Sequence, residues 1–552
     1  MFRGNPYVAI LHFERSKSCR LGTWTVVPTI DLSQRRAGVL AHITSLPSRH
    51  GIGDFGPDAF AFVDWLQSAG QRLWQWLPTT PIGPGDSPYQ SVSAFAGSPL
   101  MVALEPLVDA GWLAAPNLPE GGFSAHAVDF AAVSAWRLPL LRQAARAFVQ
   151  HAQAEQHRAF DAWCDSQASW LNDYALFMTL ETLHGGAPWW LWPEHHRQRD
   201  ERSLRAAVKE HFEEFTFWRF VQWCFDTQLA TLKTYANDRD VLIVGDLPIF
   251  VAHHSADCWA APELFELDAD FQPTVVAGVP PDDFIPTGQR WGNPLYRWQA
   301  MADDGFAWWT ARLRRALALA DIVRIDHFCG FGAYWEIPAS SPTADVGRWV
   351  DAPGEALFAA VTQALGPMAI IAEDLGKVTP AVVALRDDNG FPGMKILQEA
   401  FGGDGSHGFL PHHYTPHCVA YSGTHDGNTA RGWWDAASDA ERHYAGCYLN
   451  CTADNVHWAM IRAVCNSVAH MAVFPLQDVL GLNGEHRMNL PGTMGGSNWR
   501  WRFTWPMLTT EHARVLGMLS AASGRAPVAL LERAAPRGPA QASPPSLTLP
   551  AA

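Results

Sequence analysis

No CxxC pair occurs in the 552 residues, and the nine cysteines (Cys19, Cys164, Cys224, Cys258, Cys329, Cys418, Cys447, Cys451 and Cys465) are spread widely along the chain. An odd, dispersed set indicates neither a disulfide framework nor a zinc site, and a reducing compartment is expected. Equally missing is any uninterrupted apolar run of about 18 residues, the length a membrane helix needs. The first 33 residues lack a basic stretch leading into a long apolar core and a small-residue cleavage site. A cytoplasmic, soluble protein is the expectation. Positive charge is also short: 40 Lys plus Arg stand against 55 Asp plus Glu, a net charge of −15. That balance argues against nucleic acid or an anionic membrane surface as main partner and favours a small or neutral ligand. The glycines of "PGTMGGSNW" lack the Lys and Ser/Thr of a phosphate loop and read as a tight turn. The histidines of "HGFLPHHYTPHC" (His407, His412, His413, His417) match no common metal-ligand spacing and read as a surface loop, so no metal site is expected there.

What the sequence has is apolar bulk and tryptophan. With 48% hydrophobic residues the chain can bury a large core. There are 26 tryptophans, several in pairs such as Trp189-Trp190, Trp308-Trp309 and Trp433-Trp434. Indole faces suit the apolar faces of pyranose rings, and they serve equally well to fill a core.

Eight strand-like runs recur, each bounded by turn residues: "GVLAHITSL", "RLWQWLP", "VLIVGDLPIF", "IVRIDHF", "AIIAEDLG", "GMKILQ", "CVAYSGTHD" and "MAVFPLQDVLGL". Helical spacing between them, as over Asp58 to Ala69 and Thr310 to Ala320, is the alternation of parallel βα units. No internal repeat of 20 to 50 residues suggests a solenoid. The expected fold is therefore α/β, a (β/α)8 TIM barrel with large helical and loop insertions after strands 2 and 3. The expected parts are an N-terminal extension (1–35), the barrel (36–525) with a mainly helical insertion (105–236) and a loop subdomain over the active face (251–310), and a Pro/Ala/Ser-rich disordered tail (526–552).

In such a barrel the chemistry sits at the C-terminal ends of the strands. Three runs end in acids: Asp326, the pair Glu373-Asp374, and Asp426; Asp246 and Asp478 lie near two more strand ends. On a pleated strand Arg324 and Asp326 share one side of "IVRIDHF", with Val323, Ile325 and His327 on the other. A guanidinium so placed favours the ionised carboxylate, suiting Asp326 to be a nucleophile or charge stabiliser; a simple buried ion pair reads equally well. Glu373, after the apolar "AIIA", is expected to hold its proton longer and to act as general acid. Two carboxylates pushed in opposite directions are the pattern of a glycosidase-type pair. Asp374 should point away as a structural partner, and Asp426, beside His425, either lies at the mouth or caps a turn.

The order of "HITSLPS", "GDSPYQSVSAFAGSP", "GDLPIFV", "TGQRWGNPLYRW", "RIDHF", "AEDLG", "PGMKILQ", "GTHDGNT" and "MNLPGTMGGSNWRWR" resembles glycoside hydrolase family 77, the 4-alpha-glucanotransferases of the amylomaltase type in the alpha-amylase clan, from about Arg36 to Arg502. The resemblance implies a retaining double displacement with Asp326 as nucleophile, Glu373 as general acid and base, and Asp426 as transition-state stabiliser. It also implies substrate-binding roles for Tyr89, Asp246, Gln289, Trp291, Asn293, Arg324, His327 and His425. Donors would be maltooligosaccharides and α-1,4-glucans, glucose would serve as acceptor, no cofactor would be needed, and the enzyme would be a monomer or homodimer. The sequence departs from the family pattern at Cys329, Gly332 and Asp283. An α-1,4-glucan hydrolase on the same barrel shares all three acids and differs only in the fate of the intermediate; a non-catalytic glucan binder would have no need of them.

Overall fold

The computed structural model describes residues 30–281, 286–376 and 378–534. Among the described residues twelve strands are formed: β1 Arg36–Leu40, β2 Leu73–Gln75, β3 Leu242–Leu247, β4 Val275–Val279, β5 Gln289–Pro294, β6 Ile322–Ile325, β7 Ala333–Pro338, β8 Arg348–Asp351, β9 Ile370–Ala372, β10 Gly393–Ile396, β11 Cys418–Tyr421 and β12 Met471–Pro475. Eight close into a parallel barrel in the order β1-β12-β11-β10-β9-β6-β3-β2, one for each of the eight runs read from the sequence.

The barrel is filled by one side chain or two from every strand. Leu40, Leu73, Val244, Ile322, Ile371, Met394, Val419 and Met471 form a single buried cluster, with Ile30 and Leu32 packed against it. Two residues further along three of the strands, where the pleat again points inward, stand Gln75, Asp246 and Arg324. The interior thus turns from apolar to polar toward the catalytic end. Closure demands tight contact between β1 and β2: a Cβ on Gly38 would lie 2.3 Å from the Cβ and carbonyl oxygen of Leu73.

Between β2 and β3 come the helices Glu105–Asp109, Phe130–His151, Ala154–Ser166, Ala168–Leu183, Glu201–Glu210 and Phe212–Asn237. A buried ion pair, Arg137 to Asp54 at 2.7 Å, ties this layer to the loop after β1. The stretch over the active face holds more regular structure than a loop. In it β4 and β5 join β7 and β8 in an antiparallel sheet of order β5-β4-β7-β8. The β7–β8 hairpin is a third insertion, after β6, that the sequence reading did not anticipate. Its alternating residues pair with β4 far upstream, Trp335 opposite Gly278 and Ile337 opposite Val276, and such non-local pairing is invisible to local periodicity. Within the stretch read as tail, Ala529–Ala534 is helical, with Leu530 N–H donating to Pro527 O at 3.1 Å. Residues 535–552 and most of the N-terminal extension lie outside the described residues.

Several of the large rings are core: Trp74, Trp76, Trp189, Trp192, Trp259 and Trp309 are fully buried. Among the described residues no helix is long and apolar enough to cross a membrane.

Candidate active site

The strand ends at the C-terminal mouth bring the acids together through one connected network. Register sets its centre: Asp246 on β3 lies opposite Arg324 on β6. Arg324 Nη1 donates to Asp246 Oδ1 and Oδ2 at 2.7 and 2.9 Å and to Asp326 Oδ1 at 3.0 Å. Tyr89, reaching in from the loop after β2, donates its hydroxyl hydrogen to Asp246 Oδ2 at 2.7 Å. His425 Nε2 lies 2.9 Å from the same hydroxyl and 3.3 Å from Asp426 Oδ2. Burial pushes the His425 pKa down, so the ring is neutral at physiological pH; the tyrosine hydrogen is already spent on Asp246, so the imidazole proton is assigned to Nε2. The rings of Tyr89 and His425 stack at 5.6 Å and 7°. A continuous chain therefore runs Asp326, Arg324, Asp246, Tyr89, His425, Asp426.

Solvent access divides these groups. The side chains of Asp246, His425 and Arg324 are 0, 2 and 4% exposed, whereas Asp326 and Asp426 keep 26 and 43%. The buried groups brace the site, and the two aspartates keep part of their carboxylate surface open at the mouth.

Glu373 follows β9 next to β6. Its Oε2 accepts the His327 N–H at 2.6 Å and its Oε1 the Leu375 N–H at 3.0 Å. Burial raises its carboxyl to about 8, against Arg324 and the two amides, which favour the charged form. Asp326 departs from expectation. Burial raises it too, to about 7, because Arg324 divides its charge between Asp326 and Asp246, and Asp246 itself repels the carboxylate. Both carboxyls are therefore raised by burial, and the opposite shifts expected from the sequence are not found.

His327 departs as well. The strand ends at Ile325 and His327 takes a left-handed conformation, φ 52°, so period-two alternation no longer applies. Its ring meets Trp291 edge-on at 4.9 Å and 88°, and burial lowers it to about 4. Trp291 Nε1 donates to Gln289 Oε1 at 3.3 Å on β5. Asn293 is buried: its Nδ2 donates to Val251 O and its Oδ1 accepts from Gln90 Nε2, both at 2.9 Å, so it braces the wall of the site. Asp374 points away as expected, accepting the Met394 N–H at 2.7 Å and pairing with Arg386. Asp478 ties together the two ends of the turn that carries Asp426, accepting from Ser422 Oγ and Ala430 N–H at 2.7 Å each.

Cys329 is buried, its Sγ 3.7 Å from Leu375 O, and a side chain at Gly332 would meet Val382 Cγ2 at 2.7 Å. Asp283 lies outside the described residues. His412 and His413 donate through Nε2 to Gly405 O at 3.0 and 2.8 Å. Among the described residues no group of three His, Cys, Asp or Glu is placed to hold a metal.

Several site residues went unread in the sequence. His42, just past β1, is buried near His425, and burial takes its ring down to about 3. Glu399, just past β10, is raised to about 6 by the protein around it and then by Asp426. Asn489 and Arg487 contact Asp426 from the segment after β12. The strand-end rule that found the acids would have found His42; nothing local marks Asn489.

A closed parallel barrel whose mouth gathers carboxylates, a guanidinium, neutral imidazoles and an aromatic wall defines a carbohydrate-active barrel enzyme. The sequence model of glycoside hydrolase family 77, 4-alpha-glucanotransferase, matches residues 41–509, and the chain belongs to that family. A 4-alpha-glucanotransferase of Thermus thermophilus is 48% identical over 499 residues, 89% of this chain and 99% of the relative. One from Synechocystis is 44% identical, covering 86% of this chain and 94% of its own. The solved structure of an amylomaltase from Streptococcus agalactiae in complex with acarbose superposes with a TM-score of 0.86 at 36% identity, over 89% of this chain and 100% of that one. The activity of this chain is accordingly 4-alpha-glucan transfer, on glucan substrates.

Proposed function

We propose that the chain moves segments of α-1,4-glucan from a donor maltooligosaccharide to the 4-OH of an acceptor glucan or glucose, by two displacements through Asp326. The observation that carries the reading is the single network spanning Asp326 and Asp426, with Glu373 held beside it by the His327 amide. In the first step an Asp326 oxygen bonds to the anomeric carbon while the glycosidic oxygen leaves with the Glu373 proton. In the second, the Glu373 carboxylate takes the proton of the acceptor 4-OH, that oxygen bonds to the anomeric carbon, and Asp326 is released with configuration retained. Glu373 suits both halves: burial makes it hold the proton, and two amides steady the anion that forms once the proton is gone. Asp426, the most open of the three, grips sugar hydroxyls as charge develops on the ring, and Trp291 supplies an apolar face.

That the Streptococcus agalactiae amylomaltase was solved in complex with acarbose supports a carbohydrate ligand for this fold. A reducing, cytoplasmic setting fits the eight cysteines among the described residues, which are all free thiols. The test is product analysis on maltotriose: glucose together with maltodextrins longer than the substrate is expected. Glucose and maltose alone, with nothing longer, would make the protein a hydrolase.

A further inference from the structure

The segment after β12 reaches Asp426 and meets the carboxylate oxygen that His425 leaves free. Asn489 Nδ2 donates to Asp426 Oδ1 at 2.7 Å, and the Asn489 backbone N–H donates to His425 O at 3.1 Å. Arg487 locks this arrangement from behind, with Nε donating to Asn489 O at 2.5 Å and Nη2 donating to Asp426 O. Asn489 is 8% exposed, so the contact is made out of bulk water. The same segment carries Trp499, whose ring lies 5.6 Å from Tyr89, and Arg500, which pairs with Asp86 at 2.6 Å in the loop bearing Tyr89. The chain that holds Asp426 is thus anchored to the loop that supplies Tyr89.

Asp426 has two oxygens and 43% of its side chain exposed, so water alone would leave it free to rotate. His425 addresses Oδ2; Asn489 is the side chain that addresses Oδ1. An amide N–H does not titrate, so it donates at every working pH, and it brings no charge to compete with Arg324. We infer that Asn489 is the positioning residue for Asp426, fixing the carboxylate in the orientation from which it meets the sugar. The inference rests on the reading of Asp426 as stabiliser.

Full-length Asn489→Ala, Asn489→Asp and Asp426→Asn test it, each first checked for a native thermal transition. Asn489→Ala should lower kcat for maltotriose disproportionation by about 10- to 100-fold, the weight of a hydrogen bond to a charged group, while KM moves much less. Asn489→Asp keeps the shape. Protonated, the new acid can still donate to Asp426; ionised, it repels it, as paired carboxylates do. Its activity relative to the parent should therefore rise as pH falls. The other titratable groups facing Asp426 (His425, Glu399, Asp326, Tyr89 and Arg487) are common to both proteins and largely cancel in that ratio. A merely structural lesion would give a ratio independent of pH. A flat ratio, or Asn489→Ala with kcat within about twofold of the parent, overturns the inference. If Asp426→Asn is inactive in that case, only the role of Asn489 falls; an active Asp426→Asn removes the stabiliser reading and this inference with it.

Discussion

Arg324 Nη1 stands 2.7 Å from Asp246 Oδ1 and 2.9 Å from Asp246 Oδ2, and these two side chains are almost without solvent. Asp326, at 3.0 Å, therefore shares a cation that is already neutralised. Divided charge explains why burial outweighs Arg324 at Asp326 and raises its carboxyl to about 7.

Asp246→Asn should hand the whole of Arg324 to Asp326. The Asp326 pKa then falls, and the acid limb of kcat/KM moves to lower pH. Breaking the buried pair should also cost stability on the order of 3 kcal/mol. A pH–rate profile and a denaturant titration check both. An acid limb that stays in place would show that the shared cation does not govern Asp326.

Tyr89→Phe keeps the stack on His425 and removes only the hydroxyl between Asp246 and His425. Both buried partners lose a hydrogen bond, and the imidazole loses the group that orients it. We expect kcat to fall by about 10-fold or more with the fold intact. Steady-state kinetics on maltotriose beside a thermal melt would show it; unchanged kcat would remove Tyr89 from the working network.

Glu373→Gln should lower turnover of maltotriose by about 10²- to 10⁴-fold, the usual contribution of a positioned acid and base. A donor that leaves without a proton, such as α-maltosyl fluoride, should still release a burst of fluoride, since only the first step is relieved of its acid. Absence of the burst would place the acid elsewhere.

The same variant makes a stability prediction. Glu373 sits at about 8 when folded against an ordinary 4.5, so its contribution is full below pH 4.5 and is lost as pH rises through 8. Glutamine does not titrate. The melting temperature of Glu373→Gln relative to the parent should therefore be higher at pH 9 than at pH 5, as differential scanning calorimetry would record. An offset that is the same at both pH values would mean that Glu373 is not raised by its site.

Gly38→Val would drive a side chain into Leu73, where a Cβ already falls 2.3 Å from backbone and side-chain atoms. Forcing β1 from β2 should cost at least the roughly 1–3 kcal/mol of overpacking and reduce soluble yield. A normal unfolding midpoint would show that the barrel seam can open at no cost.

Much of this protein was legible in the chain. The eight barrel strands could be read because each is a short apolar run whose inward and outward faces are decided locally by the pleat. Asp326, Glu373 and Asp426 could be read as mouth residues because each follows a buried strand at its C-terminal end, although the same rule also finds Asp374 and Asp478, which packing contacts occupy. The β7–β8 hairpin, the pairing of Asp246 with Arg324 and the hold of Asn489 on Asp426 could not, since each joins segments far apart in sequence. His327 was misjudged for a different reason: the strand ends three residues earlier than the run "IVRIDHF" suggests, and a left-handed turn redirects the side chain. The sequence by itself thus determined the barrel and which acids stand at its mouth, because local patterns carry that information. Only the tertiary structure decided how Arg324 is shared and how Glu373 and Asp426 are held. Proton affinity and orientation depend on burial and on neighbours that meet only when the barrel closes.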